Sequence, residues 1–544
     1  MFDAEKAALI SCAMIALTGL TSLAARRLHV PQSILLVIVG AAIAFVPHFP
    51  AVELHPDLVL LLLLPPLLYY SGVGMSWRGF KQNLRAIMLL AVGCVLFTAG
   101  VVAAATHYLL HVPWAVGFVL GAVVSPPDAV APMAIARRLP LPKRVLTVLE
   151  GEGLVNDATA LILFSFAVGA VATGGVSVSE AAEAFAAIVV CEIAWGYVVG
   201  WTMLRLRHWS RDSEVEMILA LLTPFIAFWP AHFLGGSGVL AAVTAGLYTS
   251  WNGPGLISPA TRLQGFFVWG LAVYIVEGVV FLLTGLQARV VIEGPDAGEW
   301  SRMLWAALIT TVIVIVVRFV WVFPATYLSP WLFLSRHGKR PTPPWQETFL
   351  IGFTGIRGVV SLVAALSVPE LIGDHQFPER DLILFVTFCV ILVSLIGQGT
   401  TLPGLIRILK LDVAGAREAA AAKKDEVAAR VAGIQAALNR LDELEAKGAV
   451  SRSVATLRRH HEDRRLDFVQ TADEAIAGAP VADEANIQLQ LIATERASIA
   501  GQFAAGKLSD DARRRVEREL DLDDARVRHA ADSATGNEVS LSVE

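Results

Sequence analysis

Thirteen apolar runs, most of them near twenty residues, fill the first three quarters of this 544-residue chain. They cover approximately 7–24, 30–47, 56–72, 86–110, 113–135, 145–171, 181–203, 215–233, 237–250, 263–287, 303–328, 346–368 and 382–405. Lipid offers the backbone no hydrogen-bond partners, so a run of this length must satisfy its own amides, and the helix does that. The expected fold class is therefore an all-α polytopic membrane protein with about thirteen transmembrane helices. The eighth and ninth runs are the weakest, because "AHFLGGSG" interrupts them and the ninth is short.

Charge divides the chain. Residues 415–544 carry 43 charged side chains, whereas the 414 residues before them carry only 48. The division predicts a transmembrane domain over 1–410 and a helical cytoplasmic tail over 411–544. "AREAAAAKKDEVAARVAGIQAALNRLDELEAKG" has apolar residues at helical spacing, and "SDDARRRVERELDLDDARVR" reads as a second helix with Ser509 as its N-cap. The last dozen residues are expected to be disordered. At the other end, Asp3, Glu5 and Lys6 precede the first run, a poor match to a basic signal-peptide start, so that run is taken as a first span.

Basic residues fix the expected orientation. Alternate connections hold sixteen Lys and Arg: Arg26 and Arg27; Arg78, Lys81 and Arg85; Arg137, Arg138, Lys143 and Arg144; Arg205, Arg207 and Arg211; Arg262; and Arg336, Lys339 and Arg340. The intervening connections hold three, Arg289, Arg302 and Arg380. This alternation requires an odd number of spans, with the N-terminus outside and the C-terminus in the cytoplasm.

Four cysteines, Cys12, Cys94, Cys191 and Cys389, lie in apolar runs without a C-x-x-C pair, so neither a disulfide framework nor a zinc site is expected. The chain contains no Walker loop, G-x-S-x-G or H-E-x-x-H, which argues against an enzyme, and nothing in it resembles a channel selectivity filter.

Ionisable residues at membrane depth are costly and mark function by default. A helix rises about 1.5 Å per residue through a core about 30 Å thick, so ten residues from an edge is mid-depth. Asp128, Asp157, Glu192, Glu277, Arg318 and Arg357 fall near the middles of their spans, with Glu150 and Glu152 nearer the cytoplasmic side. The excess of acids over bases suits a cation path or a proton relay.

Asp128 lies in "GAVVSPPDAVAPMAIA", where Pro126, Pro127 and Pro132 cannot all sit in a regular helix. The break frees carbonyls at a depth where transporters place binding sites. On the next run, "LEGEGLVNDATALILF", Glu152 and Asn156 share a helix face while Asp157 points about 100° away. Asp157 is either a cation and proton carrier or a buried, protonated, hydrogen-bonded acid. Glu152 is expected to pair with a buried arginine. Arg357, among the glycines of "GFTGIRGVVSLVAAL", is the first choice, and Arg318 in "VIVIVVRFVWVFP" is then left to Glu277 or Glu192.

These residues carry a resemblance. "SPPDAVAP", "LEGEGLVNDATALILF" and "GFTGIRGVVSL", in this order and spacing, resemble the bacterial sodium/proton antiporters of the electroneutral monovalent cation/proton antiporter family, in the branch with an Asn-Asp motif. "LLLLPPLLYYSGVGMSW" and "GGSGVLAAVTAGL" fit its patterns as well, and the resemblance covers roughly residues 10–410. It implies inverted repeats with broken helices at the midplane, a homodimer in a bacterial inner membrane, and exchange of one Na⁺ for one H⁺. By the same resemblance Asp128 and Asp157 coordinate the cation beside Asn156, Glu152 pairs with Arg357, and Arg318 is a core arginine. Gly153 departs from it, since many members have a serine there; Ser125 and Thr159 are the candidates to compensate.

The expected function is thus a secondary antiporter without a cofactor, in which Na⁺ (with Li⁺ and K⁺ as other candidates) and H⁺ compete for Asp157 and Asp128. Its partners are these ions, the lipid bilayer and a second copy of the chain, with no nucleic acid. A K⁺-selective or other cation-coupled transporter, and a membrane sensor whose tail is the output, are the rival readings.

Overall fold

The computed structural model describes residues 4–28, 30–47, 56–136, 139–175, 177–210, 212–293, 299–328, 342–372, 375–447, 454–466, 481–504 and 510–535. Several expectations lie outside the described residues: Ser509 as a cap, and Arg137, Arg138, Arg211, Arg336, Lys339 and Arg340 of the basic connections. Of the last dozen residues, 533–535 are helical rather than disordered and 536–544 lie outside the described residues. Two units are distinguished along the chain, Met1–Ala414 and Gly415–Glu544.

In the first unit every apolar run has become helix. Nine helices among the described residues are long and apolar enough to cross a membrane. In chain order the helices are α1 (Ala4–Leu28), α2 (Gln32–Ala44), α3 (Pro56–Gly74), α4 (Trp77–Leu110), α5 (Trp114–Val124), α6 (Val130–Ala136), α7 (Lys143–Thr173) and α8 (Val178–Ser210). There follow α9 (Ser213–Phe233), α10 (Val239–Asn252), α11 (Pro259–Leu286), α12 (Trp300–Tyr327), α13 (Trp345–Phe353), α14 (Val359–Leu366) and α15 (Arg380–Ile408). Pairs α5/α6 and α13/α14 are each one helix interrupted near its middle, so each of the thirteen apolar runs corresponds to one helix or one broken helix among the described residues.

Proline sets many of the boundaries. Pro31, Pro113, Pro142 and Pro344 stand immediately before α2, α5, α7 and α13, where a missing amide costs nothing. The doubtful eighth and ninth runs separate at a tight turn. Gly235 and Gly238 take left-handed backbone there, with φ of 89° and 73°, which a side chain would disfavour.

The packing repeats itself. Gly40 of α2 meets Gly285 of α11, where an added Cβ would lie 3.0 Å from the Gly285 Cα. Gly72 of α3 meets Gly246 of α10 in the same way, at 3.2 Å. Six crossings, an even number, lie between α2 and α10 and between α3 and α11, so α10 runs opposite to α2 and α11 opposite to α3, as inverted repeats require. Both halves therefore contribute one helix to each close crossing.

In the second unit, Leu411–Ala446 continues as a long helix and residues 454–466 fold back along its end. Val454 packs on Ile434, Leu438 and Leu441, while Arg458 bridges Asp442 at 2.6 Å and Glu445 at 2.9 Å. Val481–Ala504 and Asp510–Thr535 form another pair, joined by Arg496 to Asp521 at 2.6 Å and Asp524 at 3.1 Å. Residues 454–466 and Val481–Ala504 were not expected as helices, because their apolar residues are too sparse to give a clear period.

Candidate functional site: two broken helices crossing beside α7

Pro126 and Pro127 end α5 at Val124 and hold residues 125–129 out of helix. Asp128 restarts the chain: its Oδ1 accepts the Val130 amide at 2.9 Å, capping α6. The second break, residues 354–358, carries Gly355 and Gly358. The two breaks touch, since the Asp128 amide donates to the Ile356 carbonyl at 2.7 Å. Gly358 makes room for the acid, as a Cβ there would lie 2.6 Å from Asp128 Oδ2.

α7 lies alongside this crossing. Asn156 is fully buried and its Nδ2 donates to the freed Pro127 carbonyl at 2.6 Å. Asn156 Oδ1 is buried with no hydrogen-bond partner among the described residues, leaving an acceptor available to a cation. Asp157, the next residue on α7, is half-buried. A small cavity lies beside the first break, lined in part by Pro127, Asp128, Ala129, Glu152, Gly153 and Thr354.

The arginines differ from expectation. Glu152 pairs with Arg318, not Arg357: Nη1 and Nη2 donate to its two carboxylate oxygens at 2.6 and 2.8 Å, and both side chains are 2% exposed. Arg318 Nε also donates to the Ile351 carbonyl at 3.2 Å. Arg357 instead serves the crossing itself. Its Nε donates to the Val124 carbonyl at 2.7 Å and its Nη1 to the Gly355 carbonyl, while its amide donates to Ser394 Oγ at 3.0 Å. Val124 is the last residue of α5, so the guanidinium sits on the negative end of that helix. The sequence favoured Arg357 because it lies among glycines at membrane depth, but helical spacing does not say which arginine reaches Glu152. Gly355 decides their placement, as a Cβ there would lie 2.6 Å from Arg318 Cδ and 3.0 Å from Arg357 Nη1.

Asn156 shares the helix face of Glu152 but gives its amide to the Pro127 carbonyl. Glu192 is not a partner for Arg318 either. It is 3% exposed and accepts the amides of Gly238 and Leu240 at 3.0 Å, together with the amide and hydroxyl of Ser237. It therefore caps α10. Glu277 is half-buried on α11 and Glu150 half-buried on α7; neither is the partner of Arg318. Ser125 and Thr159 are buried, and their hydroxyls donate to the Ala122 carbonyl at 3.1 Å and the Val155 carbonyl at 3.3 Å. Their oxygens keep lone pairs. Thr354, Gly355, Gly358 and Ser394 were missed as members of the site. The glycine spacing of "GFTGIRG" was the available signal for the second break.

A many-helix membrane bundle with two broken helices that touch beside a helix carrying buried polar groups is the architecture of a secondary transporter. Residues 13–408 match the family described as Sodium/hydrogen exchanger, transmembrane, and the chain belongs to that family. It is similar to an uncharacterized Na⁺/H⁺ exchanger of Mycobacterium tuberculosis, 34% identical over 538 residues and covering 96% of both chains. A sodium, potassium, lithium and rubidium/H⁺ antiporter of Bacillus subtilis is 34% identical over 387 residues, which cover 69% of this chain and 57% of the relative. Among solved structures, the sodium proton antiporter MjNhaP1 from Methanocaldococcus jannaschii shares the fold, with a TM-score of 0.56 over 75% of this chain and 99% of that one, at 18% identity.

Proposed function

We propose that this chain is a secondary antiporter that exchanges one Na⁺ for one H⁺ across a bacterial inner membrane, with Asp157 and Asp128 as the shared site. One observation carries the stoichiometry. The proposed site holds three carboxylates, buried Glu152 and half-buried Asp128 and Asp157, and two buried guanidiniums, Arg318 and Arg357. With all of them ionised the cluster carries a net charge of −1. One monovalent cation or one proton brings it to zero, and a second of either would leave it positive. Moving net charge through lipid is costly, so the site reorients in the neutral loaded states and hardly at all when empty. That makes the exchange obligatory, one for one and electrically silent.

Na⁺ is a hard ion and takes oxygen ligands. Asp128, Asp157 and Asn156 Oδ1 supply them, with the carbonyls freed by the prolines and the oxygens of Ser125 and Thr159 as further candidates. Li⁺ and K⁺ are candidate cargoes too, as in the name of the Bacillus relative. The protein acts without a resident cofactor and is a transporter rather than an enzyme. Residues 1–410 perform the exchange; residues 411–544 form a cytoplasmic tail, the N-terminus lies outside, and the working unit is a homodimer. The test is collapse of a pH gradient in proteoliposomes by Na⁺, Li⁺ or K⁺. Asp157→Ala is expected to abolish it, and a membrane-potential clamp to leave the wild-type rate unchanged. Wild-type exchange by Asp157→Ala would overturn the assignment.

A further inference from the structure

The wall of the cavity beside Asp128 is closer than side chains ordinarily allow. Gly153 of α7 faces Ala129 of the first break, and a Cβ added to Gly153 would stand 2.5 Å from the Ala129 Cβ. Neither atom is the end of a flexible side chain that could swing aside. Any residue larger than glycine at 153 therefore has to push the backbone of the break away from α7.

The break is clamped on both flanks. Asn156, one turn along α7 from Gly153 and on the same face, holds the Pro127 carbonyl at 2.6 Å. From the other side, the Ile356 carbonyl holds the Asp128 amide at 2.7 Å. Restoring an ordinary separation at Gly153 needs a shift of roughly 1 Å, enough to stretch the Asn156 bond beyond hydrogen-bond range. Asp128 is the residue between Pro127 and Ala129, so it moves with the break.

We propose that Gly153 and Ala129 are a size-complementary pair of positioning residues. Together they set how near Asp128 sits to the helix that carries Asp157, and so set the affinity for the cation. The methyl group of Ala129 occupies the volume that a side chain at 153 would need. A serine at 153 accordingly requires the residue at 129 to give way, which links the departure at Gly153 to its neighbour across the cavity. This inference rests on the reading of Asp128 and Asp157 as the cation site.

The experiment is a swap. Gly153→Ala, Ala129→Gly and the double variant are reconstituted with the wild type and with Asp157→Ala, and exchange is measured against Na⁺ concentration. Gly153→Ala is expected to raise the half-saturating Na⁺ at least about tenfold, the scale on which a misplacement near 1 Å acts. The double variant moves the methyl group from one side of the contact to the other and should return the value to within about threefold of wild type. Rescue is the decisive readout: if Gly153→Ala does not fold, recovery of folding and exchange in the double variant supports the pair equally. A Gly153→Ala protein with wild-type affinity, or a double variant no better than Gly153→Ala, overturns it. Exchange by Asp157→Ala would instead refute the reading of the site, whatever the swap does.

Discussion

Replacing Glu152 by Gln tests the assignment of the buried ion pair. The carboxylate takes two hydrogen bonds from Arg318, at 2.6 and 2.8 Å, and both side chains are 2% exposed. Removing one partner of such a pair leaves the other as an uncompensated buried charge, at a cost of about 3–5 kcal/mol. Here the cost falls toward the upper end, because Arg357 flanks the same Gly355 and adds a second positive charge beside the one left unpaired. Arg318→Met alone strands Glu152 and should cost a similar amount. The double variant Glu152→Gln/Arg318→Met removes both charges together, and a pair replaced this way is often close to neutral. A double-mutant cycle by reversible unfolding in mixed micelles should therefore give a coupling of about 2 kcal/mol or more. The cycle with Arg357→Met in place of Arg318→Met should give a clearly smaller one. Additive effects at Glu152 and Arg318, within about 0.5 kcal/mol, would refute the pairing. The same variant bears on transport. With Glu152 neutral the unloaded cluster is already uncharged, so binding a cation leaves it positive and the exchange rate should fall even where the protein folds.

Other outcomes follow from the same geometry. Glu192→Ala leaves the amides of Ser237, Gly238 and Leu240 without their acceptor and should destabilise the protein by about 3 kcal/mol, with Glu192→Gln costing less, as read by thermal unfolding. If Na⁺ and H⁺ compete for one site, acidifying the Na⁺-loading side should raise the half-saturating Na⁺ in proportion to proton concentration at constant maximal rate; a falling maximal rate at constant half-saturation would contradict that. Truncation after Ala414 should leave Na⁺-dependent exchange in place with an altered rate or pH dependence. Complete loss of activity would favour the sensor reading.

The crossings were legible because lipid leaves the backbone one local solution, so run length and charge alternation alone ordered the helices. Asp128 and Asp157 stood out for the same reason: charge at depth is rare, and three prolines announced the first break. The partner of Glu152 was not legible. Helical periodicity gives the face a side chain occupies but not which of two long arginines, 166 and 205 positions away, reaches it. That choice depends on where the second break lies, which two glycines signalled only weakly. Glu192 misled for a different reason. It is buried like a site residue, but its partners are backbone amides at the start of α10, and amides leave no mark in the sequence.

The division of charge between the repeats gives the architecture its logic. The first half of the chain supplies all three carboxylates of the cluster, Asp128, Glu152 and Asp157, and the second half supplies both guanidiniums, Arg318 and Arg357. Neither half could bury its own charges alone, since like charges with no counterpart at membrane depth are costly. The crossing of the breaks, through the bond from Asp128 to Ile356 and the reach of Arg357 to Val124, is what brings the two sets together. On the proposed reading, the one carboxylate in excess among these five groups is where a proton or a monovalent cation is taken up.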